Sequence, residues 1–160
     1  MINRELFDKT REICGAIFTG EVTDELIKMY QNKLNVMFPK SYVAFLKEFG
    51  EGGISGTYIF GIDDDYYASV LEETKKFRKK EGIPEYYIVV QNCSTIEEEW
   101  LICLDTSRML DGECPAIKYI IGTGKVTEYA KDFDEVFDKL VEERYLEKLE
   151  GIVNKQADKK

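Results

Sequence analysis

Two runs of consecutive acidic residues are the groups in this sequence whose type and spacing first suggest chemistry. They are Asp63-Asp64-Asp65 and Glu97-Glu98-Glu99. A calcium loop needs oxygen ligands at alternating positions with a glycine turn, and an acid–base pair needs carboxyls in different environments. Neither run fits. We expect the aspartates to cap a following helix and the glutamates to form a loop surface, with an acidic contact surface as the functional alternative for both.

The segment Gly122-Thr123-Gly124-Lys125 is the nearest approach to a phosphate-binding loop. It lacks the GxxxxGK[ST] spacing, and Val126 follows the lysine where a metal-binding hydroxyl is required. The segment therefore predicts a turn between two strands.

The residues that most often carry catalysis are missing or scattered. The chain has 0 histidines, so it lacks the commonest general base and the usual partner of a nucleophilic serine or cysteine. The four cysteines, Cys14, Cys93, Cys103 and Cys114, match neither a zinc site nor a CxxC redox motif. We expect reduced cysteines packed as small apolar residues, no metal, no cofactor and no enzymatic activity. The alternative is an enzyme that acts on a small molecule through carboxylate, tyrosine or lysine side chains.

The net charge indicates which classes of partner the protein can bind. The 31 acidic and 22 basic residues give a formal net charge of −9, which would repel a polyanion, so we expect no direct nucleic-acid partner. A basic protein would be attracted, although the charge also serves solubility. The pairs Tyr66-Tyr67 and Tyr86-Tyr87, together with Trp100, are candidate interface residues beside the acids, although we expect most aromatic residues to lie in the core.

Length and hydropathy indicate one intracellular domain. The 160 residues, 44% of them apolar, predict a single domain over residues 1–150, followed by a polar, frayed tail over residues 151–160. No apolar run approaches the ~20 residues that a membrane helix requires. An acid follows Arg4 where a signal peptide would be apolar, so we expect a cytoplasmic protein and no membrane partner.

The elements that must position these residues follow from hydrophobic periodicity. Helices are predicted over 3–18, from Thr23 as N-cap to Leu34, from Pro39 to Gly50, over 68–81 and over 132–149. Strands are predicted over 58–62, 86–90, 100–104 and 116–121, with 100–104 covered on both faces. Because the later strands are joined by short loops, we expect antiparallel neighbours and an α+β fold.

The segment from Phe38 to Gly53, FPKSYVAFLKEFGEGG, resembles the signature of the SUKH superfamily. That signature is a Leu-Pro-x-x-Tyr-x-x-Phe-Leu helix, a glycine-rich turn and a strand that closes on Gly-Ile, which residues 58–62 supply. Phe38 stands where leucine is usual, and this keeps an apolar anchor. The matching positions, which also have a structural reading as helix start, packing and stop, include Pro39, Tyr42, Phe45, Leu46, Gly50 and Gly61.

The resemblance continues along the chain, in order, over roughly residues 22 to 145. Residues 100–106 and 112–115, which include Asp105 and Pro115, look like the later block of the YobK-like branch. Residues 132–137 look like the closing helix of the superfamily. The resemblance implies a six-stranded or similar antiparallel-rich sheet packed with N-terminal, middle and C-terminal helices, and no catalytic residues.

For bacterial members the resemblance also implies an immunity protein that binds and neutralises the C-terminal domain of an LXG-type polymorphic toxin, often a nuclease. An acidic protein could dock in the basic groove of a nuclease and occlude its active site. The expected contacts are Asp63, Asp64, Asp65, Tyr66, Glu97, Glu98 and Glu99. A non-catalytic regulatory adaptor or scaffold, the role associated with fungal members, is the alternative. The sequence leaves the oligomeric state open.

Overall fold

The computed structural model describes residues 1–158, which form five α-helices, seven β-strands and one short 3₁₀ helix. The helices are α1 (Arg4–Cys14), α2 (Asp24–Leu34), α3 (Lys40–Phe49), α4 (Ser69–Glu81) and α5 (Phe133–Asp158). The strands are β1 (Ala16–Phe18), β2 (Gly52–Ile54), β3 (Thr57–Ile59), β4 (Tyr87–Ser94), β5 (Glu99–Asp105), β6 (Ala116–Ile120) and β7 (Val126–Ala130). The 3₁₀ helix spans Thr106–Arg108.

The strands form two antiparallel sheets. One has the order β1-β2-β3 and the other the order β4-β5-β6-β7. The α+β prediction and the antiparallel pairing of the later strands are confirmed. The resemblance implies a six-stranded or similar antiparallel-rich sheet, and in residues 1–158 the antiparallel strands form two sheets because β3 and β4 are not joined by a regular ladder.

A backbone hydrogen bond connects the two sheets. The register of β4 against β5 shifts between Val89 and Gln91, which leaves Val90 as an extra residue. The carbonyl of Val90 accepts a hydrogen bond of 2.8 Å from the amide of Phe60, just after β3. The hydroxyl of the fully buried Tyr42 then donates to the carbonyl of Phe60 at 2.7 Å. The signature helix α3 thereby holds the seam between the sheets.

Two glycines allow α3 to end against this seam. Gly50 has a φ of 72°, the left-handed conformation that favours glycine at a helix end. Its carbonyl accepts a 3.1 Å hydrogen bond from the amide of Ile62, which draws the two segments together. A Cβ on Gly61 would overlap the carbonyl oxygen of Gly50, so only glycine fits there.

The core occupies both faces of the four-stranded sheet. On one face an aromatic cluster joins α1, α3 and α5, with ring centroids 5.4 Å apart for Phe7 and Phe137 and 5.1 Å apart for Phe45 and Phe133. On the other face Phe77 of α4 belongs to a smaller apolar cluster. Burial on both sides confirms that residues 101–105 form a covered central strand.

The remaining differences concern the ends of elements. The predicted first helix stops at Cys14, and Ala16–Phe18 pairs with β2 as a strand. The strand predicted over 86–90 continues to Ser94, and the strand predicted over 58–62 ends at Ile59. Beyond Ile59, the amide of Phe60 donates to the carbonyl of Val90, and the amide of Gly61 donates to the hydroxyl of Ser69 at the start of α4.

The last helix, α5, continues beyond the predicted bound of residue 149 as far as Asp158, into the segment that the sequence predicts to be a polar, frayed tail. The hydrophobic period stops near Leu149, but no proline follows to remove a backbone donor, so the helical hydrogen bonds continue. Residues 159 and 160 lie outside the described residues.

The N-terminus of α3 is capped from far along the chain. Its N-cap residue, Pro39, has no side chain that accepts hydrogen bonds. The amide of Lys40 donates to the carbonyl of Gly112 at 2.8 Å, and the amide of Ser41 donates to Oε1 of Glu113 at 2.8 Å. The Ser41 hydroxyl donates to Oε2 of Glu113 at 2.6 Å. The two blocks that resemble the SUKH superfamily are therefore bonded to each other.

We expect Glu113→Ala to lower the free energy of unfolding by about 2 kcal/mol, because two donors of a partly buried helix start lose a charged acceptor. Glu113→Gln keeps one acceptor and should lose less. The measurement is urea unfolding, with Glu12→Ala at an exposed position of α1 as the matched control. Equal midpoints for Glu113→Ala and Glu12→Ala would contradict this role.

Candidate functional site

The loop that carries Asp63, Asp64 and Asp65 is a tight turn before α4. Oδ1 of Asp64 accepts hydrogen bonds from the amides of Tyr66 at 2.8 Å and Tyr67 at 2.9 Å. The carbonyl of Asp64 accepts a 2.7 Å hydrogen bond from the Tyr30 hydroxyl. Asp64 therefore holds the turn, and its two neighbours project into solvent.

The aspartates do not cap α4, so that prediction was wrong. The N-cap residue is Ala68, which has no capping side chain. The buried carboxylate of Glu51 takes this role, because its Oε2 accepts from the amide of Ser69 at 3.3 Å and also from the Ser69 hydroxyl. The aspartates lie too far before the helix, and the hydrogen bonds of Asp64 are used within the turn.

The second acidic run lies at the tip of the β4–β5 hairpin. The hydroxyl of Thr95 accepts from the amides of Glu97 at 3.3 Å and Glu98 at 3.2 Å, and its amide donates to the carbonyl of Glu98 at 2.8 Å. Glu97 and Glu98 lie in the loop as predicted, whereas Glu99 is the first residue of β5. Ile96 sits at the tip with 99% of its surface exposed.

The two loops have the same design. Each is fixed by a short side chain that binds backbone amides, and each presents one apolar residue among carboxylates. Tyr66 is 91% exposed, close to the 99% of Ile96. Large apolar side chains at such exposure are suited to insertion into a partner, because aromatic and aliphatic anchors surrounded by polar groups carry much of the binding energy at interfaces.

A cleft of about 900 Å³ lies beside the β4–β5 hairpin, and we call it the seam cleft. Residues from β3, α4, all strands of the four-stranded sheet and α5 line it, among them Thr57, Tyr58, Gln91, Ser94, Trp100, Lys118 and Arg144. Thr95 of the hairpin loop lies at its edge. Burial and the charge of Glu51 raise the pKa of Tyr58, which lines the cleft, and also the pKa of Tyr67 in the aspartate loop. Across residues 1–158, no hydrogen bond or ion pair joins the two acidic runs.

The seam cleft is electrically balanced in a protein of net charge −9. The Nζ of Lys118 lies 4.3 Å from the ring centroid of Trp100 and 3.4 Å from Oε1 of Glu98. Arg144 pairs with Glu147 at 2.8 Å, and Lys76 pairs with a neighbouring glutamate on α4. Sequence reasoning pointed to Trp100 among the residues of this cleft but did not predict the cleft, because its lining comes from residues far apart in the chain.

The residues of the superfamily signature lie elsewhere and act on the fold. Tyr42 and Leu46 are fully buried, and Phe45 packs in the aromatic cluster. Asp105 accepts from the amide of Ser107 at 3.1 Å, and its own amide donates to the carbonyl of Pro115 at 2.9 Å. None of Pro39, Tyr42, Phe45, Leu46, Gly50, Gly61, Asp105 and Pro115 lines the seam cleft.

The four cysteines are free thiols, as the sequence predicts. Cys93 faces the seam cleft, and burial together with the charge of Glu143 raises its pKa to about 11. A thiol with that pKa is protonated at neutral pH and is a poor nucleophile. In residues 1–158, no group of three or more histidine, cysteine, aspartate or glutamate side chains is arranged to hold a metal ion.

Alkylation of Cys93 by iodoacetamide should accelerate about tenfold per pH unit between pH 7 and 10, because only the thiolate reacts. The Cys14→Ser variant isolates this thiol, since Cys103 and Cys114 are buried. Intact-mass spectrometry follows the rate, and Cys14→Ser with Cys93→Ser gives the background. A rate that levels off below pH 9 would contradict the raised pKa.

None of the helices in residues 1–158 combines the length and apolarity that crossing a membrane requires. A family model, SUKH_5, described as SMI1-KNR4 cell-wall, matches residues 4–142. The match covers every strand of both sheets and the buried part of α5. Because it spans most of the sequence, the chain belongs to the SUKH_5 family, within the SUKH superfamily that the α3 segment resembles.

Proposed function

We propose that this protein is a cytoplasmic immunity protein that binds a cognate toxin domain and neutralises it. The observation that carries the proposal is the pair of ordered loops, each of which exposes a large apolar side chain, Tyr66 or Ile96, among carboxylates. Membership of the SUKH superfamily supports it, since that superfamily is consistent with a non-catalytic immunity role and with binding of a toxin.

The finer proposal concerns the partner. It is the C-terminal domain of an LXG-type polymorphic toxin, as in the YobK-like branch, and its active site is the basic groove of a nuclease. The net charge of −9 and the exposed acids of both loops complement such a groove. Occlusion of the groove would exclude nucleic acid, whose phosphates need the same basic side chains.

The function is tested by titrating the purified protein with the toxic domain encoded beside its gene, at several salt concentrations. We expect one-to-one binding that abolishes toxicity and weakens as salt rises, because exposed charges are screened. Absence of binding at low salt would remove that toxin as the partner and favour the adaptor role.

Paired charge reversals locate the contact surface. We expect Asp63→Lys with Asp65→Lys, and Glu97→Lys with Glu99→Lys, each to slow association about tenfold at low salt and to reduce its salt dependence. Both pairs leave Asp64 and Glu98 intact, because Asp64 holds its turn and Glu98 pairs with Lys118.

The matched control is Glu12→Lys with Glu21→Lys, which makes the same change of net charge at exposed positions on neither loop. Stopped-flow association rates compare the three pairs, and thermal melts show that each variant is folded. If the control slows association as much as the loop variants do, the net charge acts and the two loops are not the contact surface.

A further inference from the structure

The outer edge of β4, the edge that faces away from β5, is closed by the protein along its first half. The amide of Tyr87 donates to the carbonyl of Pro84 at 3.1 Å, and the amide of Val89 donates to Oγ1 of Thr74 at 3.0 Å. The carbonyl of Val90 accepts from Phe60, as described above. Proteins usually cover the edges of their sheets in this way, because unpaired backbone groups at an edge can pair with other chains.

The second half of the same edge is open. The amide of Thr95 bonds to Glu98 across the hairpin, and in an antiparallel ladder the residues alternate between bonding the partner strand and pointing away from it. Asn92 and Ser94 therefore direct their N–H and C=O groups away from β5. Within residues 1–158, no hydrogen bond from outside the ladder reaches these groups, and both residues are exposed in the seam cleft.

The strand on the opposite side of the cleft has an open edge as well. The β2–β3 turn consists of Ser55 and Gly56 at φ of 48° and 84°, the conformation of a two-residue hairpin whose flanking residues bond to each other. Thr57 therefore bonds to β2, and the N–H and C=O of Tyr58 point the other way, towards β4. Phe60, two residues further, follows the same alternation and reaches Val90.

The two open edges diverge from the Phe60–Val90 hydrogen bond. Residues 56–58 and 91–95 line opposite sides of the same cleft of about 900 Å³. The seam cleft is thus a gap in an otherwise continuous arrangement of strands, with unpaired backbone donors and acceptors on both sides. An extended segment placed there would bond to Asn92 and Ser94 along one edge and to Tyr58 along the other.

We propose that the seam cleft binds an extended segment of the toxin domain, which adds a strand between β3 and β4. The proposal rests on the immunity function, and it assigns that function a docking mode based on main-chain hydrogen bonds. The acidic and basic residues that line the cleft balance one another, so basic side chains of the segment would be attracted to the Glu97–Glu99 run beside Thr95 at the edge of the cleft.

The first test is hydrogen exchange of the wild-type protein, alone and with the toxic domain encoded beside its gene. We expect the amides of Tyr58, Asn92 and Ser94 to exchange at least about tenfold more slowly in the complex, since an added strand accepts hydrogen bonds from them. Binding without protection of these amides would overturn the strand addition and leave the immunity function standing. Absence of binding would overturn both.

The second test removes one outward N–H. Ser94→Pro deletes a donor that bonds nothing in the free protein, and proline is tolerated at such an edge position. We expect Ser94→Pro to weaken binding of the toxin domain about tenfold or more, because it removes a main-chain hydrogen bond and its ring obstructs the strand edge. Ser94→Ala, which removes the hydroxyl and keeps the amide, should bind like the wild type.

The matched control is Val126→Pro, at the first residue of β7 on the opposite edge of the same sheet. It makes the same chemical change and should leave affinity unchanged, and thermal melts establish that both proline variants are folded. Equal affinity for Ser94→Pro and Val126→Pro would overturn the proposal. Protection of Asn92 and Ser94 that rises with protein concentration, without toxin, would assign the cleft to a second copy of this chain and overturn it as well.

Discussion

The junction between the two sheets depends on one short chain of hydrogen bonds, from the Tyr42 hydroxyl through Phe60 to Val90. The β4 bulge frees the Val90 carbonyl, and the buried Tyr42 fixes the position of Phe60. Because no regular ladder joins β3 and β4 in residues 1–158, the seam cleft lies between them beside this hydrogen bond. Tyr42, a residue of the superfamily signature, thus helps to position the seam cleft although it does not line it.

Two helices share a second constraint, which is that neither supplies its own N-terminal cap. Glu113 accepts from the first turn of α3, and Glu51 accepts from the first residue of α4. Both caps come from outside the helix and from segments next to the seam. Unsatisfied helix donors are costly when they are buried, so these carboxylates fix the helices to the sheets in a defined orientation. Glu51 and Glu113 thus stabilise the fold, as Asp64 stabilises its turn, whereas Asp63, Asp65 and Glu97 are exposed.

Periodicity predicted the helices because each buries one apolar face, and Thr23 and Gly50 marked their ends correctly. It did not predict β1, since three residues are too short for a pattern, or the extension of α5, whose last turns bury nothing. The acidic loops could be found as sequence runs, and their role as contacts stays a prediction. The seam cleft could not be found, because the opening between β3 and β4 depends on the bulge at Val90 and not on any local motif.

The capping of α3 by Glu113 also orders events during synthesis. A ribosome releases the chain from its N-terminus, so the signature helix emerges more than sixty residues before its cap. Until Glu113 is outside the exit tunnel, the amides of Lys40 and Ser41 have only water as a partner. The N-terminal half of this protein therefore completes its most characteristic helix only when the strand that follows Pro115 is about to emerge.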